Sequence, residues 1–125
     1  MQAANLYQQY KSQALQTLTQ GELIVKLFEE ASKQVSIAIF KINSDAVQSF
    51  NCIVKAQKII KELNNSLDMG KAISIELREM YIFLIDKLIE ANADKDVELM
   101  KQLLGLIDDL KTTFREAEKL ARTGK

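Results

Sequence analysis

The segment "AQKIIKELNNSLDMG", residues 56–70, reads as the last turns of a helix and decides how the fold is interpreted. Its apolar residues recur at intervals of four, three and four and so form one stripe at the helical period: Ala56, Ile60, Leu63 and Leu67. Gln57 and Asn64 flank that stripe, and Asn65 follows directly. Amides beside a buried seam cost free energy unless they are hydrogen-bonded. The stretch therefore predicts an amphipathic helix whose amides either complete the bundle or bind something else.

The composition limits the classes of protein and partner that are possible. The chain has 125 residues, 47% of them hydrophobic, which suits one domain with a real core. Its 17 basic and 17 acidic residues cancel, so charge gives no reason to expect a nucleic-acid partner. The N-terminus lacks the features of a signal peptide, and the longest uncharged apolar run, residues 80–85, is far too short to span a membrane. With Cys52 as the single cysteine, these features predict a cytoplasmic protein.

The absence of histidine excludes many catalytic and metal sites. No Ser-His or Cys-His dyad and no Glu-x-x-His di-iron site can form. The four glycines form no phosphate-binding motif. We therefore expect a protein that is not an enzyme, with no catalytic residue, no metal and no cofactor.

Four helical segments follow an N-terminal leader, and no proline interrupts them. They are predicted at about 20–42, 45–67, 75–92 and 95–120. We expect N-caps at Thr19 (in a capping box with Glu22), Ser74 and Asp94, and a left-handed helix end at Gly70. Short turns favour antiparallel neighbours, so the sequence predicts an all-α, up-down four-helix bundle over residues 19–120. Residues 1–18 are predicted to be a short helical or irregular leader.

The last two predicted helices carry more apolar residues than one buried face needs. The third has a second apolar line of Ile82, Ile85 and Ile89, and the fourth has one of Leu99, Leu103, Leu106 and Leu110. Either these helices each touch two neighbours, or they expose a groove that receives a partner helix. Gly105 has the same two interpretations. Close packing in the bundle or against a partner would offset the cost of a glycine in mid-helix, about 1 kcal/mol.

Several stretches, in register over about residues 5–118, resemble the FliS family of flagellar secretion chaperones. They are "NLYQQY" (5–10), "TQGEL" (19–23), "IVKAQKIIKELNNSLD" (53–68), "MY" (80–81), "LIEANADKD" (88–96) and "LLGLIDDLKTTF" (103–114). The chain departs from the family pattern at some positions. Gln20 replaces a frequent proline, Asp86 and Lys87 replace a familiar arginine pair, and Phe114 replaces a common tryptophan.

This resemblance implies an export chaperone that binds the disordered C-terminal segment of flagellin, prevents its early polymerisation and presents it to the flagellar type III export gate. Matching the family's motifs, and adding Leu103 and Leu106 from the wide apolar arc, gives the expected flagellin-binding residues: Tyr7, Tyr10, Gln57, Ile60, Leu63, Asn64, Leu67, Tyr81, Leu88, Asn92, Leu103 and Leu106. The leader either closes one end of the bundle or covers the groove as a displaceable flap.

The alternative hypothesis is a helical module that uses the surplus apolar surface to form a homodimer or to bind another helical partner. Under the chaperone hypothesis we expect a monomer or a weak dimer.

Overall fold

The computed structural model describes residues 20–123, which form four α-helices and contain no strand. Helix α1 spans Gln20–Lys41, α2 spans Ala46–Asn65, α3 spans Ala72–Asp94 and α4 spans Val97–Thr123. Each helix packs on the next and α1 also packs on α4, so the four close into a bundle. The α1–α2 interface is the most extensive and the α3–α4 interface the least. The predicted all-α bundle is confirmed, and the leader and Thr19 lie outside the described residues.

The core is a continuous cluster of side chains from all four helices. Within it the Phe28 ring lies 6.2 Å from the Tyr81 ring, and it also stacks on the half-buried Phe114 ring, with ring centroids 5.2 Å apart. Small side chains let neighbouring helices approach closely, and four alanines are fully buried: Ala31, Ala38, Ala56 and Ala91. The single thiol, Cys52, is also buried in this cluster.

Three hydrogen bonds join different helices across the interior. The Ser49 hydroxyl of α2 donates to the Ala38 carbonyl of α1 (2.8 Å). The Ser32 hydroxyl of α1 donates to Asp108 Oδ1 of α4 (2.6 Å). Asn92 Nδ2 of α3 donates to the carbonyl of Phe50 in α2 (3.2 Å). Each bond satisfies a polar group from a buried serine or asparagine, as burial requires.

The connection between α3 and α4 corrects two predictions. Asp94, the predicted N-cap of the fourth helix, is the last residue of α3. Asp96 is the cap instead, because its Oδ1 accepts the N–H of Leu99 (3.0 Å). The left-handed residue is Lys95, with φ of 53°, and its N–H returns to the Ala91 carbonyl. The turn therefore lies two residues later than predicted, and a lysine occupies the conformation usually given to glycine.

The connection between α2 and α3 also differs from the prediction. Gly70 has no positive φ, and its N–H donates to Asp68 Oδ1 (3.0 Å), so an aspartate-centred turn follows α2. Helix α3 begins at Ala72, three residues before the predicted start at 75. Its N-cap position is Lys71, which makes no side-chain cap, and Ser74, the predicted N-cap, is buried in the first turn. At the end of α2, the hydroxyl of Ser66, rather than the amide of Asn65, bonds the Leu63 carbonyl (2.9 Å).

Gly105 lies on the open surface of α4, which excludes one of its two interpretations, close packing within the bundle. A Cβ atom built on Gly105 would have nothing within 4 Å. At Gly21, by contrast, an added Cβ would lie 3.2 Å from Glu118 Cγ. The close approach of a partner helix to Gly105 stays a prediction.

We expect Gly105→Ala to raise the free energy of unfolding by about 0.5–1 kcal/mol, because alanine restricts the unfolded chain and meets no neighbour in the fold. Urea denaturation followed by circular dichroism measures this gain. Gly21→Ala is the matched control, and its gain should be smaller because Glu118 must shift. An equal gain at both positions would contradict the difference in packing.

Candidate partner-binding groove

Helix α3 exposes a line of three isoleucines to solvent. Ile75, Ile82 and Ile89 are 56%, 41% and 49% exposed, and they are seven residues apart. Because seven residues make almost two complete helical turns, the three side chains project from one side of α3. A contiguous exposed apolar surface of this kind marks an interaction site more often than isolated surface residues do.

The isoleucine line lies next to the contact between α3 and α2. The buried Asn92, which bonds the Phe50 carbonyl of α2, shows which side of α3 faces that helix. Ile85 is half-buried and is seven residues before Asn92, so it lies on the same side. Ile82 is three residues before Ile85, and Ile89 is three residues before Asn92. Each isoleucine therefore lies further round the helix, towards solvent. The isoleucines therefore form one edge of a surface depression between α2 and α3.

The other edge of this depression is made by α2. Phe50, Gln57 and Asn64 are seven residues apart and lie beside the contact with α3, where Gln57 and Asn64 are half-buried and Phe50 is 51% exposed. Val47 and Val54 lie further round α2, away from its contact with α3, and the Val47 side chain is 71% exposed. We call the surface bounded by these residues and by the isoleucine line of α3 the α2–α3 groove.

Asn64 leaves a hydrogen-bonding atom unused in this groove. Its carboxamide oxygen is shielded from solvent and has no partner among the described residues. Gln57 makes no side-chain hydrogen bond within the part of the chain that the structure describes. Buried polar atoms are normally paired, and an unpaired one is costly. The two amides are therefore not explained by hydrogen bonds inside the bundle.

The residues predicted to bind flagellin fall into two groups by burial, with Tyr7 and Tyr10 outside the described residues. Six are buried in the bundle: Ile60, Leu63, Tyr81, Leu88, Asn92 and Leu103. Four are half-buried: Gln57, Asn64, Leu67 and Leu106. Their contact with a partner stays a prediction, and the buried group lies behind the surface that a partner would meet.

The groove includes residues that sequence reasoning placed elsewhere or did not assign. The spacing of Phe50, Ile53, Ala56 and Ile60 predicts a core position for Phe50, but its side chain is half-exposed because it lies at the side of α2, beside the contact with α3. Val47 and Ile75 were not assigned. The spacing of Val47, Phe50, Val54 and Gln57, at intervals of three, four and three, was the available signal for this edge.

The two surplus apolar lines have different outcomes. In α4, Leu103 and Leu110 are buried, and Leu99 and Leu106 are half-buried against the core. This burial fits the interpretation in which the helix contacts two neighbours. In α3, Ile82 and Ile89 of the second line remain exposed, whereas Ile85 is half-buried against the core. The groove interpretation therefore applies to α3 only.

The described residues offer neither a metal site nor a membrane span. Among residues 20–123, no group of three or more cysteine, aspartate or glutamate side chains could hold a metal ion. No helix in that range has the length and hydropathy needed to cross a bilayer.

Comparison with known proteins links most of the chain to one family. The family model described as "Flagellar protein FliS" matches residues 3–121. The chain is 29% identical, over 94% of its length and 89% of the relative's, to "Flagellar secretion chaperone FliS" of Bacillus subtilis strain 168. It is 28% identical, over 82% of its length and 79% of the relative's, to the protein of the same name from Salmonella typhimurium strain LT2.

The buried Tyr81 behind the groove makes stability depend on alkaline pH. Burial raises the pKa of Tyr81 from 10.0 to about 12, so the folded chain retains a proton that the unfolded chain loses above pH 10. The free energy of unfolding should therefore fall as pH rises from 10 to 12, by up to roughly 1.4 kcal/mol per pH unit. Tyr81→Phe should lack this component. Urea denaturation of both proteins between pH 8 and 12 measures the difference, and parallel curves would contradict the role of Tyr81.

Proposed function

The chain belongs to the FliS family of flagellar proteins, and on that premise we propose that it is a cytoplasmic, non-enzymatic flagellar export chaperone that binds the C-terminal segment of flagellin. Binding would prevent premature polymerisation, and the chaperone–flagellin complex would then be delivered to the flagellar type III export apparatus. The observation that carries this proposal is the exposed isoleucine line of α3 beside Phe50 of α2. No helix among residues 20–123 covers this surface, and an amphipathic client segment can cover it.

The size of the groove indicates how much of the client it can hold. Full burial of an isoleucine contributes about 1.5–3 kcal/mol. Ile75, Ile82 and Ile89 are about half-exposed, so covering each would contribute about 1 kcal/mol. Phe50 and Val47 add a similar amount each, for roughly 5 kcal/mol in total before the costs of association. Micromolar affinity needs about 8 kcal/mol net, so the client must also contact surfaces beyond this groove.

The expected flagellin-binding residues then have two roles. We propose that Gln57, Asn64, Leu67 and Leu106 contact the client directly. The amide of Gln57 can hydrogen-bond client groups, and Asn64 can do so once its side chain turns its shielded, unpaired oxygen towards the client. The buried group (Ile60, Leu63, Tyr81, Leu88, Asn92 and Leu103) would act by holding α2, α3 and α4 in position beneath the groove. Tyr7 and Tyr10 are proposed as further contacts from the leader.

We expect Ile82→Asp to weaken binding of the cognate flagellin C-terminal peptide by at least tenfold, because a charge would have to be buried against the client. Titration calorimetry should give near one-to-one binding and a negative heat-capacity change for the unaltered chain. Ile73→Asp is the matched control. Ile73 is 57% exposed on the same helix, but it lies two residues from Ile75 and so projects from nearly the opposite side.

Two comparisons make the Ile82 experiment decisive. Both aspartate variants should retain the helicity and unfolding midpoint of the unaltered chain, whereas Leu103→Asp should unfold it, because Leu103 is 2% exposed. Undetectable binding of the unaltered chain at tens of micromolar peptide would contradict the proposal. A tight homodimer in sedimentation velocity that ignores flagellin would instead support the alternative, dimerisation or an adaptor function through the same surface.

Gln57→Ala tests the proposed role of the groove amides. We expect the variant to bind the flagellin peptide about three- to tenfold more weakly, for the loss of one hydrogen bond, with little change in the free energy of unfolding. Calorimetry and urea denaturation on the same sample compare the two effects. A larger loss of stability than of affinity would return Gln57 to a role inside the bundle.

A further inference from the structure

The α2 edge of the groove carries positive charge. Lys58 and Lys61 are exposed, and Lys61 continues the outward line of Val47 and Val54 at intervals of seven. Lys58 is four residues after Val54, so it lies slightly further from the contact with α3. Neither lysine forms an ion pair within residues 20–123.

The α3 edge carries negative charge. Glu79 and Asp86 are exposed, and they are four residues after Ile75 and Ile82 respectively. A step of four residues rotates a side chain about 40° past its predecessor. Since Ile85 and Asn92 define the side that faces α2, this rotation places both carboxylates beyond the isoleucines, away from α2. Neither carboxylate is ion-paired in the described part of the chain.

One further charge lies within the groove itself. Arg78 is seven residues before Ile85, and so lies on the α2 side of the isoleucine line. Its positive charge is thus on the same side of the isoleucines as Lys58 and Lys61. The two edges therefore differ in sign, with lysines along α2 and carboxylates along α3.

We propose that these unlike edges fix the direction in which an amphipathic helix docks in the α2–α3 groove. The occupant is a helix with an apolar stripe flanked by acidic residues on one side and basic residues on the other. It docks with its acidic flank over Lys58 and Lys61 and its basic flank over Glu79 and Asp86. This inference rests on the proposed function, in which the groove receives an amphipathic segment.

The direction follows from geometry. Turning such a helix end for end in the groove exchanges its left and right flanks. The acidic flank would then lie over Glu79 and Asp86, and the basic flank over the two lysines. Exposed ion pairs are individually weak. Replacing four matched pairs by four like-charge contacts should nevertheless lower the binding affinity in the wrong direction by about tenfold at low salt. Screening at about 1 M salt should remove most of that preference.

Two synthetic helical peptides of identical composition test the proposal on the full-length chain. Both carry the same isoleucine–leucine stripe, arranged symmetrically about the centre of the peptide, and a nitroxide at the N-terminus. The second peptide has its glutamate and lysine flanks exchanged. Paramagnetic broadening of the chain's amide signals should fall at the end of the bundle with Ala46 and Asp94 for one peptide. For the other peptide it should fall at the end with Asn65 and Ala72.

Reversing the edge charges should reverse the outcome. In the quadruple variant Lys58→Glu, Lys61→Glu, Glu79→Lys and Asp86→Lys, net charge is unchanged, and each peptide should move its label to the opposite end. The matched control reverses four exposed charges on α1 and α4, by Lys33→Glu, Asp109→Lys, Glu116→Lys and Lys119→Glu. It should leave both directions as they were.

Several outcomes would overturn the inference. These are broadening at the same end for both peptides, broadening divided equally between the ends, no response to the quadruple variant, or no binding of either peptide. Titration of the same chain with the flagellin peptide separates this from the proposed function. Flagellin binding without a directional preference defeats only the inference, and directional docking without flagellin binding defeats only the flagellin assignment.

Discussion

A helix in a four-helix bundle can bury only the arc that faces its neighbours, and α3 has more apolar side chains than that arc can hold. Tyr81, Leu84 and Leu88 fill the arc and are almost completely buried. Because α3 packs mainly on α2 and least on α4, none of the four described helices covers the side that carries Ile75, Ile82 and Ile89. Leaving three half-exposed isoleucines in water gives up several kcal/mol of possible stabilisation. The groove, the proposed client and the docking direction all follow from that uncovered side.

The bundle separates the residues that fold the chain from those that face a partner. The aromatic cluster of Phe28, Tyr81 and Phe114 and the four buried alanines hold the helices together without the groove edges. The Asn92–Phe50 hydrogen bond fixes α3 against α2 from inside the structure. The edge residues can therefore be substituted while the core contacts are kept. Glu79 and Asp86 make the α3 edge acidic.

Sequence patterns predicted the fold well because the relevant information lies within each helix. The intervals of three and four located all four helices with ends within three residues of those observed. The same patterns did not show that the second apolar line of α4 is covered by the core while most of that of α3 is exposed. Periodicity fixes the direction of a side chain but not which neighbour covers it. Phe50 was misplaced for this reason, because its stripe did not show that its side chain lies beside the contact with α3 and is half-exposed. The caps at Asp96 and Lys95 were missed because two aspartates could each cap α4, and because a left-handed lysine has no sequence signature.

The reactivity of the buried Cys52 thiol can report how often the bundle opens. Cys52 is three residues after Ser49, whose hydroxyl bonds the Ala38 carbonyl, so the thiol lies on the α1 side of α2. A thiol-modifying reagent can reach this buried thiol when the bundle opens around it. With no second cysteine in the chain, the modification rate reads the population of the open state in native buffer. A ligand that binds only the closed bundle slows that rate by a factor of one plus its concentration over its Kd. Client affinity can thus be obtained from reaction kinetics without a label on either protein.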